Sequence, residues 1–494
     1  MFTDKLSKNI LLLIIFSLTV SIITYSQTVF DQKLDCFSVV VGRKAMSDGS
    51  VMFAHNEDTG LGAVNYFKVP KADHRPGEKI ILEHGGELPQ SEHTFAYLWI
   101  NRPGCGICDS YINELGVAIG SDGCPSREEN PEYTDGGIAF WLRRIVAERA
   151  HTAREGVEIA GKLITEFGYA SSGRTYVIAD PNEGWILSVV NGKHWVAHKV
   201  PDNQVAIVAN CYTIQDIDLK DTANFIGSPD IIDYAISQGW YNPSRDGNFN
   251  FSKSYSNPGS LNHPGNTGRM WRGAQLVSGS KLDAVGDFPF AVTPAKKLTI
   301  QDVMVVLRDH YEGSTLDKSF HYTLGNPHQM NVATICADGT QYSLVAHLRN
   351  WLPVEIGPIV WIAPYRPDVQ TYCPWYPSVS AIPAVYSYRD GESALQTLYN
   401  PPVSGNNRNN GEAFRKFVSL FKKIDQDYGK FIVPVQNSWK PYERKSFRKQ
   451  DKFEKRLLKK YSTDSAKLIE LITSHTSKIA LEIANKTDQI DKTF

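Results

Sequence analysis

Hydrophobic and polar positions divide the first four fifths of the chain into short strand-like runs and helical stretches, separated by turn residues. Residues 137–150 predict a helix, and the capping-box pattern at 152–155 predicts a second helix that ends at Gly168. Four strand-like runs follow and predict a β-meander: 174–179, 185–190, 194–200 and 205–209. Strands joined mostly by hairpin turns and interrupted by helices favour an α+β fold with helices layered on antiparallel sheets.

Two later segments have a different pattern. Residues 241–268 are rich in Asn, Ser, Gly and Pro, which predicts a long surface loop. From Gly411 the helical periodicity continues to residue 494. We therefore expect a main domain over 36–410 and a helical C-terminal extension, 411–494, that packs on it.

The first paired strands predict which residues surround Cys36. The apolar runs 37–41 and 50–55 flank a turn signal at Gly49, and together they predict a β-hairpin. Counting outward from a loop of four or five residues places Cys36 opposite Asp58 or Thr59. Opposed residues in a ladder lie about 5 Å apart, so residues 56–58 are expected close to Cys36.

The N-terminal residues have the pattern of a secretory signal. Lys5 and Lys8 precede an apolar run of about 15 residues, which is shorter than the roughly 20 residues of a membrane-spanning helix. We expect a signal peptide over 1–26 and a short polar propeptide over 27–35. The protein is then exported, periplasmic or extracellular, without stable membrane insertion after signal removal. An uncleaved signal anchor is the alternative.

Composition excludes several classes of protein. Of the 494 residues, 42% are hydrophobic and 21% charged, which is typical of globular proteins and not of disordered or fibrous ones. Lys+Arg number 52 and Asp+Glu 53, a net charge of -1, so no overall field favours nucleic acid as a partner. Nothing in the sequence calls for a metal ion or an organic cofactor, and it leaves open whether the chain forms a homo-oligomer.

The seven cysteines are too few for a disulfide scaffold. Cys105 and Cys108 have the CxxC spacing of a redox or metal half-site, but no second pair at metal-site spacing accompanies them, so a disulfide or two buried thiols are favoured. Cys36 begins a strand directly after a short polar segment. If the chain were cleaved before it, the thiol and a new α-amine would share one residue. An α-amine has a pKa of about 7.7–8.0 and could serve as the base that activates the sulfur.

The opening of this segment resembles the cysteine dipeptidase family of the N-terminal nucleophile (Ntn) hydrolases, relatives of penicillin V acylase and bile salt hydrolase. Similar motifs occur in family order along nearly all of the expected mature chain. They are Cys36 with 42–45, 48–50 and 54–58, then 113–117, 195–197 with 200–202, 209–210, the Arg-x-Trp-Arg-Gly element at 269–273, 307–313, 352–353, 355–357 and 361–364.

The resemblance implies a four-layer αββα sandwich, autocatalytic removal of residues up to Asp35, and hydrolysis of dipeptides or short peptides by Cys36. It implies that Asp58 orients the α-amine and that Asn210 donates to the tetrahedral oxyanion. Arg269 or Arg272 would steady the nucleophile or bind the substrate carboxylate. Asn56 and Asp122 are the further substrate-binding candidates, with Ser121 as the alternative to Asp122 at a second oxyanion-side position.

The sequence departs from the family pattern at three places. His55 stands where the family usually has Arg, which replaces a permanent cation with a group that titrates near pH 6.5. His55 could therefore make stabilisation of the thiolate weaker and pH-dependent, or could simply fill the space of the Arg. Phe37 stands where a small hydroxyl residue is common, and an expected Arg is absent near Ile335 and Cys336.

Three other functions remain open at this point. An acylase or amidase acting on N-acyl amino acids or other linear amides would use the same fold and nucleophile. A non-catalytic exported binding protein with a degenerate Ntn fold is favoured only by His55. Thiol–disulfide exchange by Cys105 and Cys108 would leave Cys36 without a role.

Overall fold

The structure is a computed structural model that describes residues 36–58, 64–101, 109–280, 288–386, 412–461 and 465–494. The expected signal peptide and propeptide, the Cys105/Cys108 pair and the expected boundary at 410–411 lie outside these residues. Within the described ranges, no helix combines the length and the apolar character needed to cross a bilayer.

Two large antiparallel sheets form the centre of the fold. The seven-stranded sheet has the order β16-β14-β1-β2-β17-β18-β19, with β1 Phe37–Val41, β2 Val51–Glu57, β14 Val205–Val208, β16 Ala291–Val292, β17 Tyr342–Leu348, β18 Ile359–Pro364 and β19 Cys373–Trp375. The eight-stranded sheet has the order β15-β13-β12-β11-β10-β9-β8-β3, with β3 Asn65–Val69, β8 Tyr97–Asn101, β9 Ser110–Asn113, β10 Ala118–Gly123, β11 Arg174–Ala179, β12 Gly184–Val189, β13 Trp195–Lys199 and β15 Phe225–Gly227.

Two small ribbons and a set of helices complete the described structure. The ribbons pair β4 Ala72–Asp73 with β7 His93–Thr94, and β5 Lys79–Ile81 with β6 Glu87–Pro89. The α-helices are α1 Trp141–Arg149, α2 Ala153–Phe167, α3 Ile231–Ser237, α4 Phe251–Tyr255, α5 Pro258–Leu261, α6 Pro264–Ser278, α7 Ile300–Leu307, α8 Glu412–Gln426, α9 Tyr428–Lys460 and α10 Ser465–Thr493. Short 3₁₀ turns lie at Pro327–Gln329 and Ala384–Tyr386.

Alternation along the strands distributes apolar side chains among three buried clusters. One cluster contains residues of both large sheets, including Val40 of β1 and Val177 of β11. The neighbouring Val39 instead belongs to a cluster with α6 and α7, and Ile178 to a cluster with α1 and α2. Neighbouring residues of one strand therefore contribute their side chains to different clusters.

The hairpin was predicted correctly, but its pairing was not. Phe37 pairs with Asn56, which places Cys36 next to Glu57 rather than opposite Asp58 or Thr59. The connection between the strands is longer than the four or five residues assumed, because its backbone is held by the turn after β13. Lys44 N–H donates to the Asp202 carbonyl at 2.7 Å.

The helix that the capping-box pattern predicted is confirmed. Thr152 accepts a hydrogen bond from the Glu155 backbone N–H, and the helix ends before Gly168, whose φ is 79°. The strands of the predicted meander are all present, but they do not form one sheet. β14 crosses to the seven-stranded sheet, where Ser38 of β1 pairs with Val208. A run of four buried apolar residues predicts a strand without indicating which sheet receives it.

The predicted surface loop at 241–268 is confirmed over residues 241–250, which have no helix or strand, but is wrong over 251–268. Two short helices, α4 and α5, and the beginning of α6 lie there. Asn250, Asn257 and His263 each accept a backbone N–H at a helix N-terminus, and a Pro opens α5 and α6. The Asn and Pro residues that resembled loop signals are therefore helix caps and first-turn residues.

The C-terminal residues are helical, as their periodicity predicted. Their helices contact the connection between β18 and β19 and the 3₁₀ turn at Ala384–Tyr386 through buried polar groups. Trp439 Nε1 donates to the Val369 carbonyl at 3.0 Å, and Tyr386 Oη donates to the Ala480 carbonyl at 2.8 Å. The described C-terminal helices thus share a core with the seven-stranded sheet.

Candidate active site

The β1–β2 hairpin places four polar side chains on its face towards the eight-stranded sheet. Alternation puts Cys36 and Ser38 on that face of β1, and His55 and Glu57 on the same face of β2. Cys36 Sγ donates to Glu57 Oε1 at 3.6 Å, and Cys36 is 2% exposed. The expectation that residues 56–58 surround Cys36 is met most directly by Glu57.

A line of hydrogen bonds leads from Glu57 to the second sheet. Glu57 Oε2 lies 3.1 Å from His55 Nε2, and His55 Nδ1 lies 2.9 Å from Ser38 Oγ. Ser38 Oγ in turn donates to Asp122 Oδ2 on β10 at 2.6 Å. Because the single hydroxyl proton of Ser38 is directed to Asp122, Ser38 accepts from His55 Nδ1. Both ring nitrogens of His55 then face acceptors, which is the arrangement of an imidazolium.

The electrostatics agree with this assignment. Burial opposes the charged form of His55, but the hydrogen bond with Glu57 and the charges of Asp122 and Glu57 outweigh it and raise the pKa of His55 above its ordinary value. Burial likewise opposes ionisation of Glu57, yet the contacts with His55 hold the pKa of Glu57 below its ordinary value. His55 and Glu57 therefore form a buried ion pair beside Cys36.

The Cys36 thiol is in its neutral form in this environment. Burial raises the pKa of the thiol well above its ordinary value, and the charges of Glu57, Asp122 and Asp58 raise it further. Burial also raises the pKa of Asp122 to about 6, against the opposing effect of His55. A standing thiolate is disfavoured here, so a reaction of the sulfur needs a base that removes its proton during the attack.

Asp58 lies directly after β2 and is a second neighbour of the sulfur. Its backbone N–H forms a hydrogen bond with Cys36 Sγ, which opposes the rise of the thiol pKa. Thr340 Oγ1 donates to Asp58 Oδ1, so a residue just before β17 fixes the carboxylate. The structure thus brings Asp58 to the nucleophile candidate through its backbone and orients its side chain through Thr340.

Arg269 joins Cys36 to Asn210. The Arg269 side chain is fully buried; Nη1 donates to the Cys36 carbonyl at 3.0 Å, and Nη2 donates to Asn210 Oδ1 at 3.0 Å. Asn210 follows β14 with a φ of 49°, a left-handed conformation that Asn tolerates better than most residues. Its Nδ2 donates to the Gly123 carbonyl at 2.9 Å, which uses one of the two amide N–H groups.

The other expected substrate-binding residues have different contacts. Arg272 forms a two-pronged salt bridge with Asp309, through Nε to Oδ1 at 2.8 Å and Nη2 to Oδ2 at 2.7 Å. Asn56 lies on the opposite face of β2 and donates to the carbonyls of Leu307 and Ile335 at 2.9 and 2.8 Å. Both side chains link the elements behind the site and do not contact Cys36 through these bonds.

Asp122, rather than Ser121, faces the Cys36 side of β10. Asp122 accepts from Ser38, whereas Ser121 Oγ accepts from Arg143 and Arg174, each at 3.1 Å. Alternation along β10 therefore places the side chain of Asp122, and not that of Ser121, in contact with Ser38.

Sequence reasoning missed Ser38, Thr340 and the direct role of Glu57. Glu57 could have been found from the hairpin with its true register, since it is the residue next to Cys36 across the ladder. Ser38 shares a face with Cys36 by alternation, and that signal was present in the sequence. Thr340 carries no such signal, because it reaches Asp58 from a distant segment.

One atom from each of Cys36, His55 and Glu57 lies within 4.8 Å of the others, a spacing compatible with metal ligation. The contacts above already account for these atoms. The His55–Glu57 ion pair and the Cys36–Glu57 hydrogen bond satisfy these polar atoms without a metal ion.

Comparison with known proteins shows the family of the chain. The model of peptidase family C69 matches residues 35–400. The chain belongs to peptidase family C69. It is therefore a peptidase, and the resemblance inferred from the motifs is confirmed. A protein of Latilactobacillus sakei named "Probable dipeptidase" is 29% identical over 359 residues, covering 69% of this chain and 73% of that protein. A protein of Bifidobacterium longum named "Dipeptidase" is 28% identical over 389 residues, covering 71% of this chain and 72% of that protein.

Among solved structures, a mutant of conjugated bile acid hydrolase from Clostridium perfringens aligns with this C69 peptidase at a TM-score of 0.34 and 12% identity. The alignment covers 69% of this chain and 92% of the hydrolase.

Proposed function

We propose that this C69 peptidase is an exported dipeptidase whose nucleophile is Cys36 Sγ, exposed on a new N-terminal residue by cleavage after Asp35. The observation that carries the proposal is the buried position of Cys36 at the start of β1, where Glu57, Asp58 and Arg269 all contact it. The family match begins at residue 35, one residue before Cys36, and this supports the proposed start of the mature domain. The dipeptidase names of the relatives support the substrate class.

The neutral thiol determines the first chemical step. Since burial and three carboxylates disfavour a standing thiolate, the α-amine that cleavage creates on Cys36 takes the thiol proton as the sulfur attacks. The S–C bond forms and the peptide carbonyl becomes a tetrahedral oxyanion. The ammonium then gives its proton to the leaving amine as the C–N bond breaks, and water hydrolyses the resulting thioester.

Asn210 and Arg269 have separate roles in this mechanism. The second N–H of Asn210 Nδ2 stabilises the oxyanion, and Arg269 holds Asn210 by its amide oxygen. Arg269 also fixes the Cys36 carbonyl, so the nucleophile and the oxyanion donor are positioned by one guanidinium. Asp58, oriented by Thr340, accepts a hydrogen bond from the new α-amine.

The proposal includes the four-layer αββα arrangement and maturation by the same thiol. The three buried clusters, two between a sheet and helices and one containing residues of both sheets, support the layering. In maturation the Cys36 sulfur attacks the Asp35 carbonyl carbon, the acyl group moves from nitrogen to sulfur, and water releases the propeptide. The signal-like pattern at 1–26 supports export.

The test compares wild type with Cys36→Ala, using intact mass and hydrolysis of a dipeptide series. Wild type is expected to begin at Cys36 and to hydrolyse dipeptides, whereas the variant retains the propeptide and has no activity. Cys373→Ala is the matched control, because Cys373 is an equally buried free thiol on β19 and should neither block maturation nor abolish turnover.

Three outcomes would contradict the proposal. Full activity of a chain that retains residues before Cys36 would exclude the α-amine as base, and full activity of Cys36→Ala would exclude the nucleophile. Hydrolysis of N-acyl amino acids without hydrolysis of dipeptides would replace the dipeptidase with an acylase on the same site.

A further inference from the structure

A second cluster of buried polar side chains lies outside the proposed catalytic contacts. His310, His328, Cys336 and Asp368 each offer one ligand atom, and these four atoms lie within 4.8 Å of one another. The side chains of both histidines and of Asp368 are at most 1% exposed, and Cys336 is fully buried.

The contacts within the cluster indicate which atoms converge. His310 Nε2 lies 3.8 Å from Asp368 Oδ2, and His328 Nε2 lies 3.5 Å from the same oxygen. Among the described residues, His310 Nε2 has no hydrogen-bond partner, although it is buried. A buried imidazole nitrogen without a partner is costly, and a coordinated cation is one way to satisfy it.

We propose that His310, His328, Cys336 and Asp368 bind one zinc ion as a closed structural site. A thiolate, two imidazoles and a carboxylate are zinc ligands, whereas calcium and magnesium prefer oxygen ligands alone. In a tetrahedral zinc site, bonds of about 2.0–2.3 Å separate the ligand atoms by roughly 3.3–3.8 Å. The four ligand atoms, which lie within 4.8 Å of one another, would need to approach by at most about 1.5 Å.

Two groups around the cluster match the outer contacts of zinc ligands, whereas His328 Nδ1 has no hydrogen-bond partner among the described residues. A ligating imidazole usually donates its other ring nitrogen to a carboxylate or a carbonyl. His310 Nδ1 lies 2.9 Å from Glu312 Oε1, which leaves Nε2 for the metal. Tyr428 Oη donates to Asp368 Oδ2 at 2.7 Å and would orient that carboxylate.

The Arg366 guanidinium lies beside the cluster, and its charge is already compensated. Its Nε lies 3.6 Å from Asp368 Oδ1, the oxygen that is not assigned to zinc. Nη1 and Nη2 pair with Asp338 and Asp425 at 3.4 and 2.7 Å. The two carboxylates offset the guanidinium, and the Cys336 thiolate and Asp368 offset the zinc charge.

The position of the cluster indicates that the ion would stabilise an irregular segment of the chain. Residues 308–341 connect α7 to β17 with only one 3₁₀ turn among regular elements. Five of these residues have positive φ without being glycine: Tyr311, Phe320, His321, Tyr322 and Asn331. Three of the proposed ligands belong to this irregular segment and the fourth follows β18, so zinc would fasten the segment to the seven-stranded sheet.

The test measures metal in the purified full chain after incubation with zinc sulfate and removal of loosely bound ions. We expect about one zinc per chain in wild type, and at most about a tenth of that in Cys336→Ser and His328→Gln. Cys373→Ser is the matched control and should retain the zinc, since Cys373 is a buried free thiol outside the cluster. Cys36→Ser should also retain it, which separates this cluster from the group at Cys36.

A second measurement does not depend on the folding of variants. Cobalt(II) substituted into the wild-type chain should give a thiolate-to-cobalt charge-transfer band and the intense visible bands of a tetrahedral site. Wild type that holds no stoichiometric zinc and gives no such spectrum would overturn the proposal and leave a hydrogen-bonded cluster. Loss of zinc in Cys36→Ser with retention in Cys336→Ser would also overturn it.

Discussion

Asn210→Asp separates the oxyanion role of Asn210 from its contact with Arg269. Asn210 Oδ1 accepts from Arg269 Nη2 at 3.0 Å, and an aspartate oxygen keeps this contact as a salt bridge. Nδ2 is replaced by an oxygen, so the donor to the developing oxyanion is lost and a negative charge takes its place. The variant therefore keeps the contact with Arg269 and removes both N–H groups of Nδ2, the one proposed for the oxyanion and the one that donates to the Gly123 carbonyl.

The expected magnitude follows from the lost donor. Removing one oxyanion donor typically lowers kcat by about 10²–10³, equivalent to about 2.7–4 kcal/mol of transition-state stabilisation. Because the donor acts on the transition state more than on the bound peptide, KM should change far less than kcat. The added negative charge places the effect at or above the upper end of that range.

Steady-state hydrolysis of one dipeptide by wild type and Asn210→Asp measures kcat and KM separately. Asn266→Asp is the matched control, because Asn266 Oδ1 also accepts from Arg269 Nη2 at 3.0 Å. It introduces the same charge beside the same arginine without removing the proposed oxyanion donor, and its kcat should fall far less. Retention of kcat within about threefold in Asn210→Asp, or an equal loss in both variants, would refute the oxyanion role.

Three further predictions concern pH dependence and stability. The pKa of His55 is raised, so its cation is present at low pH and is lost as the pH rises through that pKa. We therefore expect kcat/KM to fall on the alkaline side in wild type, and we expect His55→Arg to remove this fall. A pH profile of kcat/KM that is identical in wild type and His55→Arg would contradict the prediction. Gly161→Ala would place a Cβ 2.1 Å from Trp195 Cζ2 and should lower the free energy of unfolding by about 1–3 kcal/mol, which an unchanged denaturant midpoint would disprove. Glu454→Gln breaks the buried ion pair with Arg349, whose two hydrogen bonds are 2.7 and 2.8 Å long. It should lower the free energy of unfolding, measured with denaturant, by about 3–5 kcal/mol. A decrease below about 1 kcal/mol would show that the pair contributes little to stability.

Local pattern predicted those parts of the fold that depend on neighbouring residues. The hairpin, the helix from Ala153 to Phe167 and the C-terminal helices follow from periodicity and capping, which act over a few residues. The hairpin register failed because the connection between the strands is fixed by Asp202, a residue far away in sequence. The prediction that β14 belongs to the same sheet as β11, β12 and β13 failed for the same reason, since strand pairing depends on the assembled chain.

In the candidate site, too, local pattern predicted the contacts between sequence neighbours but not those between distant residues. Alternation and a hairpin can bring Cys36 towards Glu57, but nothing local connects Cys36 to Arg269, which is 233 residues away and donates to its carbonyl. The resemblance to a family supplied Arg269 and Asn210 as candidates. That one guanidinium contacts both the proposed nucleophile and the proposed oxyanion donor could be seen only in the folded chain.

His55 shows how neighbouring strands change the meaning of a substitution. From the sequence, replacing the family arginine by histidine suggested a cation that titrates near pH 6.5. In the fold, Glu57 faces one ring nitrogen and Ser38, engaged with Asp122, faces the other. Both contacts require N–H donors, so the histidine is held as a cation and its pKa is raised. Residues of two sheets therefore determine whether the histidine carries the charge that the family arginine would carry, and we expect the pH range of activity to depend on those residues as much as on His55.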